Sequence, residues 1–283
     1  MKQVRRFLLL LILFFPLSLL VVGCFLTRPS DRKILADFEK LSQSAEIRYY
    51  DKGDYRISYI DVAAQENLPL VLLIHGAPGT FYDFKTILQD SLLQTKARLI
   101  AVDRPGYGKS SAGKTCEELE EVCDLLLPLL DLDKSGKGVV LVGHSYGGPI
   151  AARLAANYSE KVRGLVLAAA AVDPSNEKAF WFNKPLEKLG LKYLMPGPLR
   201  VANDEKVSHV EQLQLLRPLW KSIQAPVCII HGTKDNIVSV ENAYFAEASL
   251  QHTEVSTLYS EDMSHMIPWQ SSEELKSMII SLL

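Results

Sequence analysis

A serine hydroxyl is a poor nucleophile at neutral pH unless a base takes its proton and the chain holds it out toward a substrate. Ser145 stands in the run Gly143-His144-Ser145-Tyr146-Gly147-Gly148. The apolar stretch Val139-Val140-Leu141-Val142 precedes it, and a helical pattern with Ile150, Ala151, Leu154 and Ala155 follows. That context predicts a nucleophile on a tight turn between a buried strand and a helix. Such a turn crowds backbones and strains the serine, which is why small neighbours suit it.

A base and an acid should lie in loops after later strands. His265 lies in Asp262-Met263-Ser264-His265-Met266, and an imidazole at this point can accept the Ser145 proton. Asp235 lies in His231-Gly232-Thr233-Lys234-Asp235-Asn236, after a strand ending at Ile230. A carboxylate there would fix the tautomer of the imidazole and stabilise its charged form. Asp173, which follows another predicted strand, is the rival acid; Asp262 is too close to His265 in sequence to be preferred. His209 falls in an insertion and His252 precedes the last strand, so neither suits the base. His75, His144 and His231 each adjoin a glycine at a strand end and read as structural or site-lining.

A tetrahedral intermediate also needs donors for its oxyanion. The N–H of Tyr146, next to the nucleophile, is one candidate. The second is Ala77 in the loop His75-Gly76-Ala77-Pro78-Gly79-Thr80, because Pro78 has no N–H. Gly106-Tyr107-Gly108-Lys109-Ser110 superficially suggests a phosphate loop, but Asp103 stands where the first glycine is required. It is expected instead to shape the pocket floor.

The elements that must carry these residues alternate. Continuous apolar strands are predicted at Leu70–Ile74, Leu99–Val102, Val139–Val142, Leu165–Ala168, Val227–Ile230 and, less clearly, Glu254–Leu258. Helical patterns such as Leu119–Leu130 separate most of them. Strands apolar on both faces imply a mostly parallel central sheet flanked by helices, an α/β fold with its functional loops at the strands' carboxyl ends. Ile47–Val62 alternates around Gly53-Asp54 and reads as a hairpin. Pro29-Ser30 should start a helix with Ile34, Leu35, Phe38 and Leu41 on one face. Ser271-Ser272-Glu273-Glu274 reads as a capping box opening a terminal helix. Between about 174 and 218 no strand is predicted. This segment reads as a small helical cap insertion, in which Phe180, Trp181 and Phe182 are either its core or a substrate-binding wall.

The four motifs around His75, Asp103-Arg104-Pro105-Gly106-Tyr107-Gly108, Ser145, and Asp235 with His265 occur in the order found in α/β-hydrolase-fold enzymes. The chain resembles that family over roughly residues 46–283. The resemblance implies a serine hydrolase cutting a carboxylic ester or related acyl bond through an acyl-serine intermediate. A prolyl-aminopeptidase-like peptidase and a cofactor-free haloperoxidase-like enzyme would use the same triad. Epoxide hydrolases and dehalogenases of this fold would need an aspartate at position 145. The non-enzyme alternative is a surface binding module on an inactive hydrolase scaffold. Ser264 stands where many relatives have glycine, and the segment around Phe180-Trp181-Phe182 matches no known cap.

Residues 1–23 stand apart. Lys2, Arg5 and Arg6 precede an apolar run from Phe7 to Val22, which reads as export targeting. The sequence Leu20-Val21-Val22-Gly23-Cys24 resembles a bacterial lipoprotein cleavage site, with Cys24 as the lipidated residue and 24–45 as tether and N-terminal helix. That reading places the protein exported and membrane-anchored in the bacterial cell envelope. An uncleaved single-pass signal anchor over Phe7–Leu26, or an ordinary cleaved signal, are the alternatives. Cleavage before Cys24 would take the net charge from −2 to −5, which offers nothing to anionic lipid. Near-neutral charge without a basic, aromatic-interleaved stripe argues against nucleic acid as a partner; a small-molecule acyl substrate is expected. Cys116 and Cys123, seven apart in a predicted helix, are about 10 Å apart in rise and too far to bridge. Cys228 reads as core. No disulfide, metal or cofactor is expected, and the oligomeric state is left open.

Overall fold

The computed structural model describes residues 28–63, 65–177 and 191–283. Eight strands form one sheet in the order β1-β2-β4-β3-β5-β6-β7-β8. They are β1 (Ala45–Lys52), β2 (Tyr55–Val62), β3 (Leu70–Ile74), β4 (Arg98–Asp103), β5 (Val139–His144), β6 (Val162–Ala168), β7 (Val227–Gly232) and β8 (Val255–Ser260). β2 pairs antiparallel with both β1 and β4, and β3 to β8 run parallel. The predicted hairpin is β1–β2, with Lys52 opposite Tyr55 and Gly53 at φ +56° in the turn.

The parallel strands are buried on both faces, as their continuous apolar runs require. Leu70, Leu72 and Ile74 of β3 enter one core, while Val71 and Leu73 enter the other. Helices α4 (Leu119–Leu130), α5 (Gly147–Asn157) and α7 (Glu241–Ser249) cover the first face. The second is covered by α1 (Asp31–Glu39), by the segment through α2 (Lys85–Leu88) and α3 (Ser91–Lys96), and by α9 (Ser272–Ser281). β8 is an edge strand with exposed Ser256 and Thr257, so its sequence carries less apolar signal than the strands inside the sheet.

In the insertion, α6 (Gly197–Leu216) is the main described element, preceded by a 3-10 turn at Leu191–Leu194. Phe180, Trp181 and Phe182 lie outside the described residues, as do the leader and Cys24.

Three local expectations are corrected. α1 starts at Ser30, whose side chain accepts from the Lys33 N–H, but it ends at Glu39, so Leu41 lies beyond it and is exposed. Cys116 precedes α4 rather than sharing a helix with Cys123; both are buried free thiols, as is Cys228. Ser271 precedes α9 without making a side-chain cap. A reciprocal capping box occurs instead at Thr80 and Asp83, directly after the loop that carries Ala77.

Candidate active site

Ser145 follows β5 with φ at +52°, a left-handed backbone that costs a side-chain-bearing residue roughly 1–2 kcal/mol. Three backbone hydrogen bonds hold it there. Its N–H donates to Ala168 O at 3.0 Å, and its carbonyl accepts from Gly148 N at 2.9 Å and Ala171 N at 3.2 Å. The glycines around it answer to close approach. A Cβ on Gly147 would strike the Ile74 carbonyl oxygen, and one on Gly148 would strike the Ala170 side chain. The turn therefore packs against the end of β3 and the segment after β6.

His265 reaches this turn from the loop after β8. Its Nε2 lies 3.1 Å from Ser145 Oγ, and its Nδ1 lies 2.7 Å from Asp235 Oδ2. Asp235 is aimed by its own loop: Oδ1 accepts the N–H groups of Ile237 at 2.8 Å and Val238 at 2.9 Å, leaving Oδ2 for the imidazole. Burial pushes this carboxyl up, but the hydrogen bonds from His265 and those two amides outweigh it and hold it below its ordinary value. Ser264, the departure from glycine, closes the turn beside His265. Its hydroxyl accepts from Met266 N at 3.1 Å and donates to Gln270 Oε1 at 2.6 Å.

The rival residues lie elsewhere. Asp173 caps its own turn, accepting from Ser175 N and Asn176 Nδ2. His252 donates to Ile223 O. His144 lies beneath the site and donates from Nε2 to the His265 carbonyl at 2.9 Å; burial and the neighbouring His265 push it down to about 3, so it stays neutral. His231 donates to Val238 O at 3.0 Å, bracing the loop that carries Asp235.

Ala77 and Tyr146 line the cavity with Ser145. Tyr146 precedes the first residue of α5, so its N–H opens the helix N-terminus. Among the described residues neither N–H donates to another backbone carbonyl. Each can therefore donate to an oxyanion.

The loop of Ala77 is fastened from below by Arg104. That guanidinium donates from Nε to His75 O at 3.0 Å and from Nη2 to Gly76 O at 3.1 Å. The Arg104 amide donates to His75 Nε2 at 3.0 Å, while His75 Nδ1 donates to Gly76 O at 2.7 Å. Arg104 also pairs with Glu205 of α6 at 2.5 and 3.2 Å, and the Tyr107 hydroxyl donates to the same carboxylate at 2.7 Å. The glycine-rich turn at 106–108 therefore holds the cap helix; it does not line the cavity floor, contrary to expectation. Sequence reasoning quoted Arg104 without giving it a role and missed Glu205. The signal was an arginine set between an apolar strand and a Pro-Gly turn, which has no reason to be there unless it is paired.

The cavity beside Ser145 holds about 290 Å³. Ala77, Pro78, Leu199, Ala202, Ile237 and Val238 supply apolar wall, and α6 adds Asn203, Lys206 and His209. Among the described residues no cluster of His, Cys, Asp or Glu is placed to hold a metal ion, and no helix is long and apolar enough to cross a membrane.

A family model described as the alpha/beta hydrolase fold matches residues 69–190. A membrane phospholipase A structure superposes with a TM-score of 0.64 at 20% identity, covering 98% of this chain and 97% of that one. The chain has the α/β-hydrolase fold. The enol-lactonase of Burkholderia xenovorans LB400 shares it, with a TM-score of 0.63 at 16% identity over 83% of this chain and 99% of that one. In sequence, epoxide hydrolase 4 of Mus musculus is 34% identical over 123 residues, which is 43% of this chain and 33% of that protein. The chain spans about a third or less of the length of such curated relatives. These curated relatives are named as enzymes.

Proposed function

We propose that this α/β-hydrolase-fold protein is a serine hydrolase that cleaves a carboxylic ester through an acyl-serine intermediate. The observation that carries the reading is the single line from Ser145 Oγ through both nitrogens of His265 to Asp235. His265 Nε2 takes the Ser145 proton as Oγ attacks the carbonyl. The N–H groups of Ala77 and Tyr146 hold the oxyanion. His265 then returns the proton to the departing alcohol, and a water repeats the sequence to release the acid. No metal or cofactor enters these steps.

The epoxide hydrolases that match in sequence are named for another reaction. A serine opening an epoxide would leave an ether, with no carbonyl for water to attack. Ser145 therefore favours acyl chemistry, in which the enzyme-bound intermediate is itself an ester. A peptidase of the prolyl-aminopeptidase type would use the same groups, and an amide substrate in the activity screen distinguishes it.

A fluorophosphonate probe tests the core of the proposal. It is expected to label the wild type and not Ser145→Ala. A well-folded wild type that stays unlabelled would sink the enzyme reading and favour a binding module. Export and tethering through Cys24 form a separate proposal that rests on residues 1–24 alone. A lipidated Cys24 at the mature N-terminus supports it, and an intact Met1 overturns it in favour of a spanning anchor.

A further inference from the structure

One end of the cavity beside Ser145 is polar in an unfinished way. Tyr146, Asn203 and His209 line it, and they are 6%, 7% and 1% exposed. Each carries a buried polar atom without a hydrogen-bond partner among the described residues: Tyr146 Oη, Asn203 Nδ2 and His209 Nε2. Folded proteins leave few such atoms, because a buried donor or acceptor loses its water without replacement. Of the eight found among the described residues, three belong to this one wall. The Tyr146 and His209 rings lie with centroids 4.6 Å apart and their planes tilted by 40°, so these two are neighbours.

Their chemistry narrows what can complete them. His209 Nδ1 lies 3.4 Å from the Glu177 carboxylate. With Nδ1 turned to that carboxylate, Nε2 is the ring atom left for a ligand. Glu177 is also paired with Lys206. Burial pushes Glu177 up, but His209 and Lys206 outweigh it and hold the carboxyl at about 2, so it is an anion. The charges in this wall are therefore mutually compensated, and an ammonium or carboxylate ligand would meet one of them with the wrong sign. Asn203 Nδ2 can only donate. The Tyr146 phenol, raised by burial, keeps its proton and can donate too. Beside the Asn203 nitrogen, which only donates, stand a phenol and an imidazole nitrogen that can each give or take, and the uncharged group that answers all three by giving one hydrogen bond and taking the others is an alcohol hydroxyl.

We propose that this end of the cavity is a subsite for a hydroxyl carried by the substrate, remote from the bond that is cut. Asn203 Nδ2 donates to its oxygen, and Tyr146 Oη and His209 Nε2 complete its remaining hydrogen bonds. The apolar wall takes the chain between the hydroxyl and the carbonyl. The subsite deepens the serine-hydrolase reading of Ser145, so its test separates the two.

Calorimetry on the full chain carrying Ser145→Ala measures binding without turnover. The probes are para-nitrophenyl hexanoate against its ω-hydroxy counterpart, and hexyl acetate against the monoacetate of hexanediol. The first pair places the hydroxyl on the acyl side, the second on the leaving side. In at least one pair the hydroxylated ester is expected to bind about tenfold or more tightly, since a site built for a hydroxyl penalises the analogue that lacks it. Adding Asn203→Leu or His209→Phe is expected to bring that ratio toward one. Both esters are measured on one preparation, so the ratio is independent of the folded fraction. Ratios near one in both pairs, or a preference that survives both variants, overturn the subsite. The same pairs are then turned over by the chain with Ser145 intact. Binding preference without turnover or probe labelling overturns the hydrolase reading alone. Turnover without preference overturns the subsite alone.

Discussion

Alanine at Ser145 is expected to lower kcat on a carboxylic ester about a millionfold, and asparagine at Asp235 about ten-thousandfold. The first removes the nucleophile. The second acts on a proton. With Oδ2 as a carboxylate oxygen, His265 keeps its hydrogen on Nδ1 and offers Nε2 to Ser145. An amide nitrogen in that place donates toward Nδ1 and moves the ring hydrogen to Nε2, where it can no longer accept the serine proton. The other oxygen survives the change. Asparagine Oδ1 still accepts from Ile237 and Val238, so the loop should keep its shape. The two losses should not add, because both groups serve one step. The double variant is expected to match Ser145→Ala. Steady-state kinetics, with near-UV circular dichroism as the check on folding, decides the matter. A loss below tenfold for Asp235→Asn would mean that another group orients His265.

Asp235 also sets the sign of a pH effect. Its carboxyl is held below the ordinary value in the folded chain. The stabilisation this gives is present above the unfolded carboxylate range and disappears as pH falls through the lower folded value. The carboxylate therefore stays ionised as acidification begins.

The sheet was legible in the sequence because its inner strands are apolar on both faces. β3 was bounded to the residue, and its alternate side chains feed two cores. The residues now found around Ser145 were legible for a related reason. They sit in loops after β3, β5, β7 and β8, where glycines and histidines interrupt otherwise apolar text. α6 was legible only as part of a helical insertion, without its bounds. Its buried positions include Asn203, Asp204, Glu205, His209 and Gln212. A helix that buries polar side chains over a cavity and an ion pair shows no apolar stripe, so periodicity cannot set its ends. The missing capping box at Ser271 has a different cause. The residue enters α9 directly from α8 (Ile267–Gln270), and its N–H donates to Ile267 O instead of waiting for a glutamate.

Replacing Glu205 with leucine is expected to destabilise the fold by about 3–5 kcal/mol, because it strands a buried cation. Arg104 and Glu205 are 0% and 1% exposed at their side chains. Burial works against the guanidinium charge, and Glu205 more than offsets it, raising Arg104 above its ordinary value. Without Glu205, the remaining support is the His75 and Gly76 carbonyls and the faces of Tyr107 and Tyr146, at 4.6 and 4.8 Å from the guanidinium carbon. The Tyr107 hydroxyl loses its acceptor as well. Adding Arg104→Met to Glu205→Leu removes the charge and is expected to restore most of the stability, as apolar replacements of whole buried pairs do. Activity should not return with it. Arg104 is what fastens the carbonyls of His75 and Gly76, and Ala77 follows them directly in the chain. The double variant is therefore expected to unfold in urea close to the wild-type midpoint while its kcat on an ester stays depressed. If stability and kcat recover together, the pair only closes a gap between sheet and cap. If stability recovers alone, the same guanidinium that seats the cap helix also sets the oxyanion donor.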